Sequence, residues 1–456
     1  MLVYDLSGVN TLPAVSNWLS PKYRGVEDEL FQEEDVNLPR NWKKDFSDYV
    51  YKYEELTKYK KELNESKRRI DPISRSNDRR RKFDTITDLV RAMDELRGYD
   101  GLLSRRYGAE VVTNAWLKMF ELMVFLEPML SKLNKSKKNR GFKSLHIAEA
   151  PGNFMLAINH KLHTEYPSIE WEWLANSYRQ LYYARGSNRD QEYNTHYLPD
   201  QYGLINQYPD RWIFGADGDG DITSPANLIS FSQEVKEKFG GALHFMTSDV
   251  KYVPLDVNFD EEERINIPVH LGHLICALMC LSKGGTMILK EFTLFEASSV
   301  SMLYIMSYCF KQLKIVKPET SRPANSEIYV VGIDYKKNLT PIQMDKLMNV
   351  MNYIRFLNTE AGSPALFTMS DIPRRFVEKL SEIEKKLVDS QISNLDRNLD
   401  LFIKYEDEPL DKIKKDLSHF REEAAAKWVK KTGIKPMDPG HKIARSRSRK
   451  DRRQFV

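Results

Sequence analysis

Between residues 106 and 336 the chain alternates between two hydrophobic rhythms. Short apolar runs fall at Ser144–Ala148, Trp171–Ala175, Ala242–Met246, Thr286–Leu289 and Glu327–Gly332. Their length and composition predict strands. Amphipathic stretches at Val111–Leu130, Phe154–Leu162, Ala226–Phe239, Pro268–Leu281 and Val300–Gln312 repeat their apolar residues every three or four positions and predict helices. Strands alternating with helices are the pattern of an α/β sheet. Lys283-Gly284-Gly285 supplies a helix stop where the pattern needs one.

The flanks read differently. Residues 1–105 are polar, charged and dotted with aromatics, with turns at Leu38-Pro39, Asp71-Pro72 and Arg97-Gly98, and predict a partly helical extension. Residues 337–440 are lysine-rich and helical in pattern, over Pro341–Leu357, Ile372–Val388 and a charged run reaching Lys431. Residues 441–456 read as a basic, disordered tail. No internal repeat is visible.

Composition excludes little: the chain of 456 residues is 41% hydrophobic, 29% charged and carries a net charge of only +4. Charge is unevenly placed, however. Lys58 to Lys82 holds eleven Lys/Arg against four acids, and Lys442 to Arg453 holds seven against one. Such runs attract polyanions by counterion release; solvated surface accounts for the first run equally well and for the tail better. Three cysteines, Cys276, Cys280 and Cys309, make no disulfide framework and fit a reducing compartment. Cys276 and Cys280 lack two further ligands at zinc spacing, so core packing is their expected role. No apolar run approaches the ~20 residues of a membrane span, and the first ten residues lack the pattern of a signal peptide.

Two loops carry candidate chemistry. Leu145-His-Ile-Ala-Glu149-Ala-Pro-Gly152-Asn-Phe154 runs from a strand through an acidic residue and a Pro-Gly turn into a helix. Ligands of parallel sheets sit beyond the carboxyl ends of strands, so an adenosyl cofactor fits there. Gly152 would let the backbone approach it, and Glu149 could meet its cationic amino-acid end. An ordinary strand–helix connection has the same appearance. Asp217-Gly-Asp-Gly-Asp221-Ile-Thr223 superficially suggests a calcium loop, but Ile222 stands at the sixth position and Leu228 at the twelfth. No metal is expected; a carboxylate bonding adenine, or a surface turn, is the better reading.

Taken in order, further motifs are more specific: Asn114-Ala-Trp-Leu-Lys118-Met, Ala150-Pro-Gly152 with Phe154, Gly220-Asp221-Ile222-Thr223, His244-Phe-Met-Thr-Ser-Asp249, Gly284-Gly285-Thr-Met-Ile-Leu-Lys290 and Lys317-Pro-Glu-Thr-Ser321-Arg-Pro-Ala-Asn325-Ser-Glu327. The region from Val111 to Tyr335 resembles the FtsJ/RrmJ-type ribose methyltransferases, in particular the cap-specific mRNA 2′-O-methyltransferase branch. The first motif looks most like probable methyltransferases of large cytoplasmic DNA viruses. The resemblance implies a Rossmann-like fold with a mostly parallel sheet and one antiparallel strand. It implies S-adenosyl-L-methionine as methyl donor, and methylation of a ribose 2′-oxygen near the 5′ cap of mRNA. Asn153 replaces a second glycine of the family's turn; asparagine tolerates positive φ, so the turn is expected to persist. Val250-Lys251 replace a frequent Gly-Gly after the aspartate.

A ribose hydroxyl is a weak nucleophile, so the enzyme must align oxygen, methyl and sulfur and help the proton leave. The resemblance assigns this to a tetrad of Lys118, Asp249, Lys290 and Glu327. Lys290 would be the base or the group stabilising a developing alkoxide, Lys118 a second cation, and the two carboxylates orienting groups. Each has a plainer reading: Lys118 lies off the apolar stripe of Val112, Ala115, Trp116, Met119 and Met123, as a solvated lysine would, and Asp249, Lys290 and Glu327 sit at strand edges. For the cofactor the expected contacts are Glu149, Ala150, Pro151, Gly152, Asn153, Phe154, Asp221 and Ile222. For RNA they are Asn325, Arg105, Arg106 and Lys251.

The expected partner is a capped mRNA 5′ end, with a capping enzyme or RNA polymerase subunits as candidate protein partners and no membrane. Cytoplasm, or a virion for a viral protein, is the expected location; the basic tail also suits a nuclear address. Methylation of an internal ribose in ribosomal or transfer RNA, and a catalytically silent RNA-binding subunit, remain open.

Overall fold

The computed structural model describes residues 1–19, 47–89, 93–98, 101–135, 141–185, 192–250, 261–357 and 364–444. Lys251 and most of the basic tail lie outside these residues. Strands β1 (Leu2–Asp5), β2 (Gly141–Ile147), β3 (Glu170–Ala175), β6 (Leu243–Ser248), β7 (Leu281–Glu291), β8 (Phe310–Lys317) and β9 (Ile328–Tyr335) form one sheet in the order β1-β8-β9-β7-β6-β2-β3. A separate antiparallel pair, β4 (Gln180–Arg185) and β5 (Glu192–Tyr197), projects between β3 and β6 in the chain. β3, β2, β6 and β7 are parallel, and β9 runs antiparallel between β7 and β8.

Four strands were not foreseen from the pattern: the β4–β5 pair and, in the main sheet, β1 and β8. β1, a second antiparallel strand, pairs with β8 at the sheet edge, so the N-terminal segment begins as part of the sheet. β8 starts at Phe310, where the apolar run expected to stay helical to Gln312 changes period: Leu313, Ile315 and Val316 are buried, and Lys311 and Gln312 are exposed.

Side chains alternate across the sheet as a period of two requires. Leu145 and Ile147, Met287 and Leu289, Ile328 and Val330 enter one core, while Phe142, Phe245, Ile288, Tyr329 and Val331 enter the other. The second core is covered by α3 (Asn114–Phe125) and α4 (Asn153–Glu165). The first is covered by α5 (Pro225–Phe239), α6 (Glu262–Cys280), α7 (Ala297–Cys309) and α8 (Pro341–Leu357). Cys276, Cys280 and Cys309 are free and buried here.

The flanks pack on each other. In the N-terminal extension α1 (Glu54–Arg68) and α2 (Asn77–Leu89), and in the C-terminal region α9 (Arg374–Tyr405) and α10 (Leu410–Thr432), are the longest helices. α9 contacts α1 and α2, and α10 contacts α2. Phe83 and Ile86 meet Phe402, Ile413 and Leu417 in a small third core. Among the described residues no helix is long and apolar enough to cross a membrane.

Candidate active site

The chain order reverses between β2 and β6, whose carboxyl ends therefore open a crevice suited to a ligand. Around it the four expected catalytic residues converge. Thr113 caps α3 by accepting from the Trp116 amide at 3.2 Å, which sets the helix that carries Lys118. Lys290 shares the parity of Ile288 on β7 and faces α3. It also pairs in register with Tyr329 on β9. Lys118 Nζ lies 2.6 Å from Glu327 Oε1, and Lys290 Nζ lies 3.1 Å from Asp249 Oδ1. Lys290 also donates to the Asp249 carbonyl at 3.1 Å.

Tyr329, which the pattern marked only as a strand residue, joins the two pairs. Its hydroxyl is 3.2 Å from Asp249 Oδ1 and 3.3 Å from Glu327 Oε1. One O–H proton serves one carboxylate at a time. Burial and these two carboxylates push the phenol well above its ordinary range, so it stays a neutral donor. Burial alone would raise Glu327, but Lys118 and Lys290 hold it below the usual carboxylate range.

A third lysine completes the ring. Lys317 donates to the Asn325 carbonyl at 2.8 Å, to Asn325 Oδ1 at 3.2 Å and to the Glu327 carbonyl at 2.9 Å. Burial lowers it to about 8, with Lys118 adding to the effect and Glu327 opposing it. Glu121, one helical turn beyond Lys118, is buried and accepts from the Glu319 and Thr320 amides at 2.6 and 3.0 Å and from Trp428 Nε1 at 2.9 Å. It thereby ties the Lys118 helix to the loop leading to Glu327 and to α10. Lys317 sat within a quoted motif and Glu121 near another, but nothing in their spacing announced these bonds.

Beside the tetrad lies a cavity of about 550 Å³, lined by Ile147, Ala148, Asp221, Ile222, Val250 and Pro268 among others. Asp221 and Ile222, two of the expected cofactor contacts, thus line it. Asp221 Oδ1 accepts from the Thr223 amide and hydroxyl, both at 2.8 Å. Buried Asn227 pins this loop, donating to Asp219 Oδ1 at 2.8 Å and to the Asp221 carbonyl at 3.0 Å. Gly220 has φ +77°, and a Cβ there would lie 2.3 Å from the Ser177 carbonyl oxygen.

The turn from Glu149 to Phe154 follows Ala148, a lining residue, but none of its six residues is among those that line this cavity, and its side chains differ from expectation. Glu149 Oε1 accepts from the Phe154 and Met155 amides at 2.8 and 3.1 Å, so the carboxylate caps α4 from within the protein. Burial pushes it up to about 8, an effect the Asp249 charge reinforces and the amides oppose. The Ala150 amide donates to Ser177 Oγ at 2.8 Å, and Pro151 is half-buried. Gly152 has φ +118°, the conformation glycine favours. Asn153 does not adopt the positive φ anticipated for it. Its backbone opens α4, and its Oδ1 accepts from Thr113 Oγ1 at 2.8 Å and the Tyr202 hydroxyl at 3.1 Å. The residue that replaces glycine therefore fastens the turn to the Lys118 helix. Phe154 is buried, its ring 6.3 Å from that of Tyr329.

Of the residues expected to meet RNA, Asn325 stands beside Glu327 with its Oδ1 facing Lys317 and, at 3.3 Å, the Ser321 hydroxyl. Arg105 and Arg106 are exposed on the short helix Leu102–Tyr107. No hydrogen bond or ion pair joins either to the tetrad among the described residues. Lys251 lies outside the described residues.

Known proteins match this region. The family described as FtsJ-like methyltransferase matches residues 111–335. A cap-specific mRNA (nucleoside-2′-O-)-methyltransferase 2 of Danio rerio is 32% identical over 334 residues, 72% of this chain and 41% of the relative. A probable methyltransferase of African swine fever virus is 31% identical over 299 residues, 64% of each chain. An uncharacterized protein of Acanthamoeba polyphaga mimivirus is 29% identical over 299 residues, 65% of this chain and 34% of the relative. The chain thus spans between a third and two thirds of these relatives.

Proposed function

Residues 111–335 are an FtsJ-like methyltransferase domain, and from that premise we propose that the chain methylates a ribose 2′-oxygen of RNA at the capped 5′ end of mRNA. The observation that carries this reading is the joining of the Lys118–Glu327 and Lys290–Asp249 pairs through one tyrosine hydroxyl beside the cavity. Cap-specific 2′-O-methyltransferase relatives support the substrate.

S-adenosylmethionine, the methyl donor of FtsJ-like methyltransferases, supplies an electrophilic methyl on a sulfonium when bound. The cavity fits its adenosine part: apolar walls at Ile147, Ile222 and Pro268 suit a base, and Asp221 offers an acceptor. The turn at Gly152, which follows Ala148 of that lining, would be the candidate to meet the amino-acid end.

The residues of the centre act on the ribose. Lys290, held by Asp249, faces the 2′-hydroxyl. As a neutral amine it would take the hydroxyl proton during methyl transfer; as an ammonium it would instead stabilise the developing alkoxide while water takes the proton. Lys118, held by Glu327, adds a second positive charge to the same oxygen. Tyr329 fixes the two carboxylates relative to each other. Such preorganised charge needs no rearrangement during the reaction. Asn325, oriented by Lys317, is the candidate contact to the cap or first nucleotide.

The test is transfer of labelled methyl to capped and uncapped RNA of one sequence, with the modified sugar mapped. Transfer to a ribose near a cap, faster than to uncapped RNA, is expected. Equal rates on both would remove cap specificity. Cofactor binding without transfer to any RNA would leave an RNA-binding role instead.

A further inference from the structure

The helical flanks, which lie outside the matched domain, enclose a groove of about 490 Å³ between α2 and α10. Arg80, Arg81, Asp84 and Asp88 line it from one face of α2, at helical spacing. Lys414 and Arg421 line it from one face of α10, two turns apart. Arg80, Arg81 and Lys414 are exposed and form no ion pair among the described residues. Cations just outside the groove behave differently: Arg79 pairs with Glu406 at 2.7 Å and Arg69 with Asp396 at 2.5 Å. Three cations without an ion pair among the described residues thus share the groove with Asp84, while its fourth, Arg421, lies 3.8 Å from Glu95.

Both walls contact elements of the reaction centre. Asp88 Oδ1 is 3.8 Å from Arg322 Nη2, on the loop that continues to Asn325 and Glu327. On α10, Trp428 lies two turns past Arg421 and bonds Glu121, one turn beyond Lys118. A ligand lying in the groove therefore abuts the elements that hold two tetrad residues. Guanidinium groups match phosphate oxygens, and single strands are gripped along the backbone by basic grooves.

We propose that the α2–α10 groove is a phosphate track for the RNA whose ribose is methylated, an inference that rests on the function proposed above. Arg80, Arg81 and Lys414 hold phosphates directly. Asp88 faces Arg322, so the loop bearing Asn325 and Glu327 contacts the same wall that holds RNA.

The experiment uses the full chain carrying R80A, R81A and K414A together, with affinity measured against salt. The probes are a capped dinucleotide and a capped RNA of about twelve nucleotides, within the span of a single-strand groove. Each neutralised phosphate contributes about 0.7 to the logarithmic salt slope, so three lost contacts are expected to lower it by about 2 for the longer RNA. At low salt its affinity should fall by at least about tenfold, since electrostatic contacts dominate there. Loss confined to the longer RNA assigns the track to the strand beyond the cap; equal loss on both assigns it to the phosphates at the cap; either supports it. Unchanged affinity and slope on both would overturn it, while wild-type methyl transfer would leave the ribose reading standing. A wild-type chain that neither binds nor methylates RNA would remove both. The R80K/R81K variant keeps the charges and should keep the slope. If it loses as much slope as its alanine counterpart R80A/R81A, the effect is not one of charge, and the track is again overturned. Cofactor affinity and thermal melting of each variant report that the domain is folded.

Discussion

Two clusters of buried charge sit near the end of β7, and they differ in what their oxygens do. In the reaction centre, Asp249 and Glu327 meet side-chain partners drawn from separate elements: Lys290, Lys118 and Tyr329. A few residues on, Glu263 is surrounded by donors from one loop and helix. It accepts from Thr293 Oγ1 at 2.8 Å, the Phe295 amide at 3.0 Å, the Glu296 amide at 2.8 Å and Ser299 Oγ at 2.7 Å. Burial and then the Glu296 charge push Glu263 up to about 8, and burial and then Glu263 push Glu384 to about 8. Glu327, by contrast, is held below its ordinary range by two lysines. The more perturbed acids are the structural ones. A large shift marks desolvation, and chemistry needs in addition an opening and partners that can exchange.

The comparison breaks most sharply at Lys290. Lys290→Met is expected to lower the turnover number by about 10²–10⁴-fold, the contribution of a positioned proton-transfer group. Adenosylmethionine affinity should stay near wild type in calorimetry. Loss of cofactor binding from a folded variant would show that Lys290 serves the cavity instead.

Glu263→Gln should act on stability rather than turnover. A carboxamide presents an NH₂ to at least one of the four donors, and orphaned buried donors make the change cost about 2–4 kcal/mol in urea denaturation. Turnover per folded molecule should be retained; a fall matching that of Lys290→Met would merge the two clusters into one machine.

The acid cluster also predicts a pH dependence. Glu263 and Glu384 ionise near 4.5 in the unfolded chain and near 8 in the folded one. The folded state thus binds more protons between these values, and stability falls as pH rises across that window. The contribution is complete below about 4.5 and gone once pH passes about 8. Buried His146, His160 and His273, held below their ordinary range by burial, oppose this up to about 6.5. The urea midpoint should therefore decline from there to about 8, and Glu384→Gln should flatten the decline; a midpoint that climbs in that upper window contradicts the assignment.

Smaller effects sharpen the picture. Tyr329→Phe removes one donor shared by two carboxylates and should cost about 1 kcal/mol of transition-state stabilisation, roughly fivefold in turnover, with KM for cofactor little changed. Asn153→Gly removes the acceptor of Thr113 and Tyr202 and should cost about 0.5–1.5 kcal/mol of stability by thermal melting. A variant as stable as wild type would mean these two bonds are replaced by water.

The α/β alternation was legible because a strand shows period two and a helix period 3.6 in a single run of residues. β8 escaped because its first residues continue the apolar stretch of α7 without a break. β1 escaped because four residues at the start of a polar extension carry no period of their own. The tetrad was legible through motifs in order. Its supports were not: Tyr329 looked like strand core, Glu121 like a charge on a helix, and Asn153 like a tolerated substitution for glycine. Each acts through a bond to a residue distant in the chain.

The sequence by itself determined five strands of the main sheet and the helices alternating with them, the glycine at the turn into α4, and the four polar side chains on which the proposed chemistry depends, since these follow from local periodicity and from residue type. Only the tertiary structure decided that Glu149 caps a helix, that one tyrosine joins two ion pairs, and that the two flanks close a cationic groove. Hydrogen bonds and burial belong to pairs of groups, and which groups become pairs is settled only when the whole sheet and its helices pack.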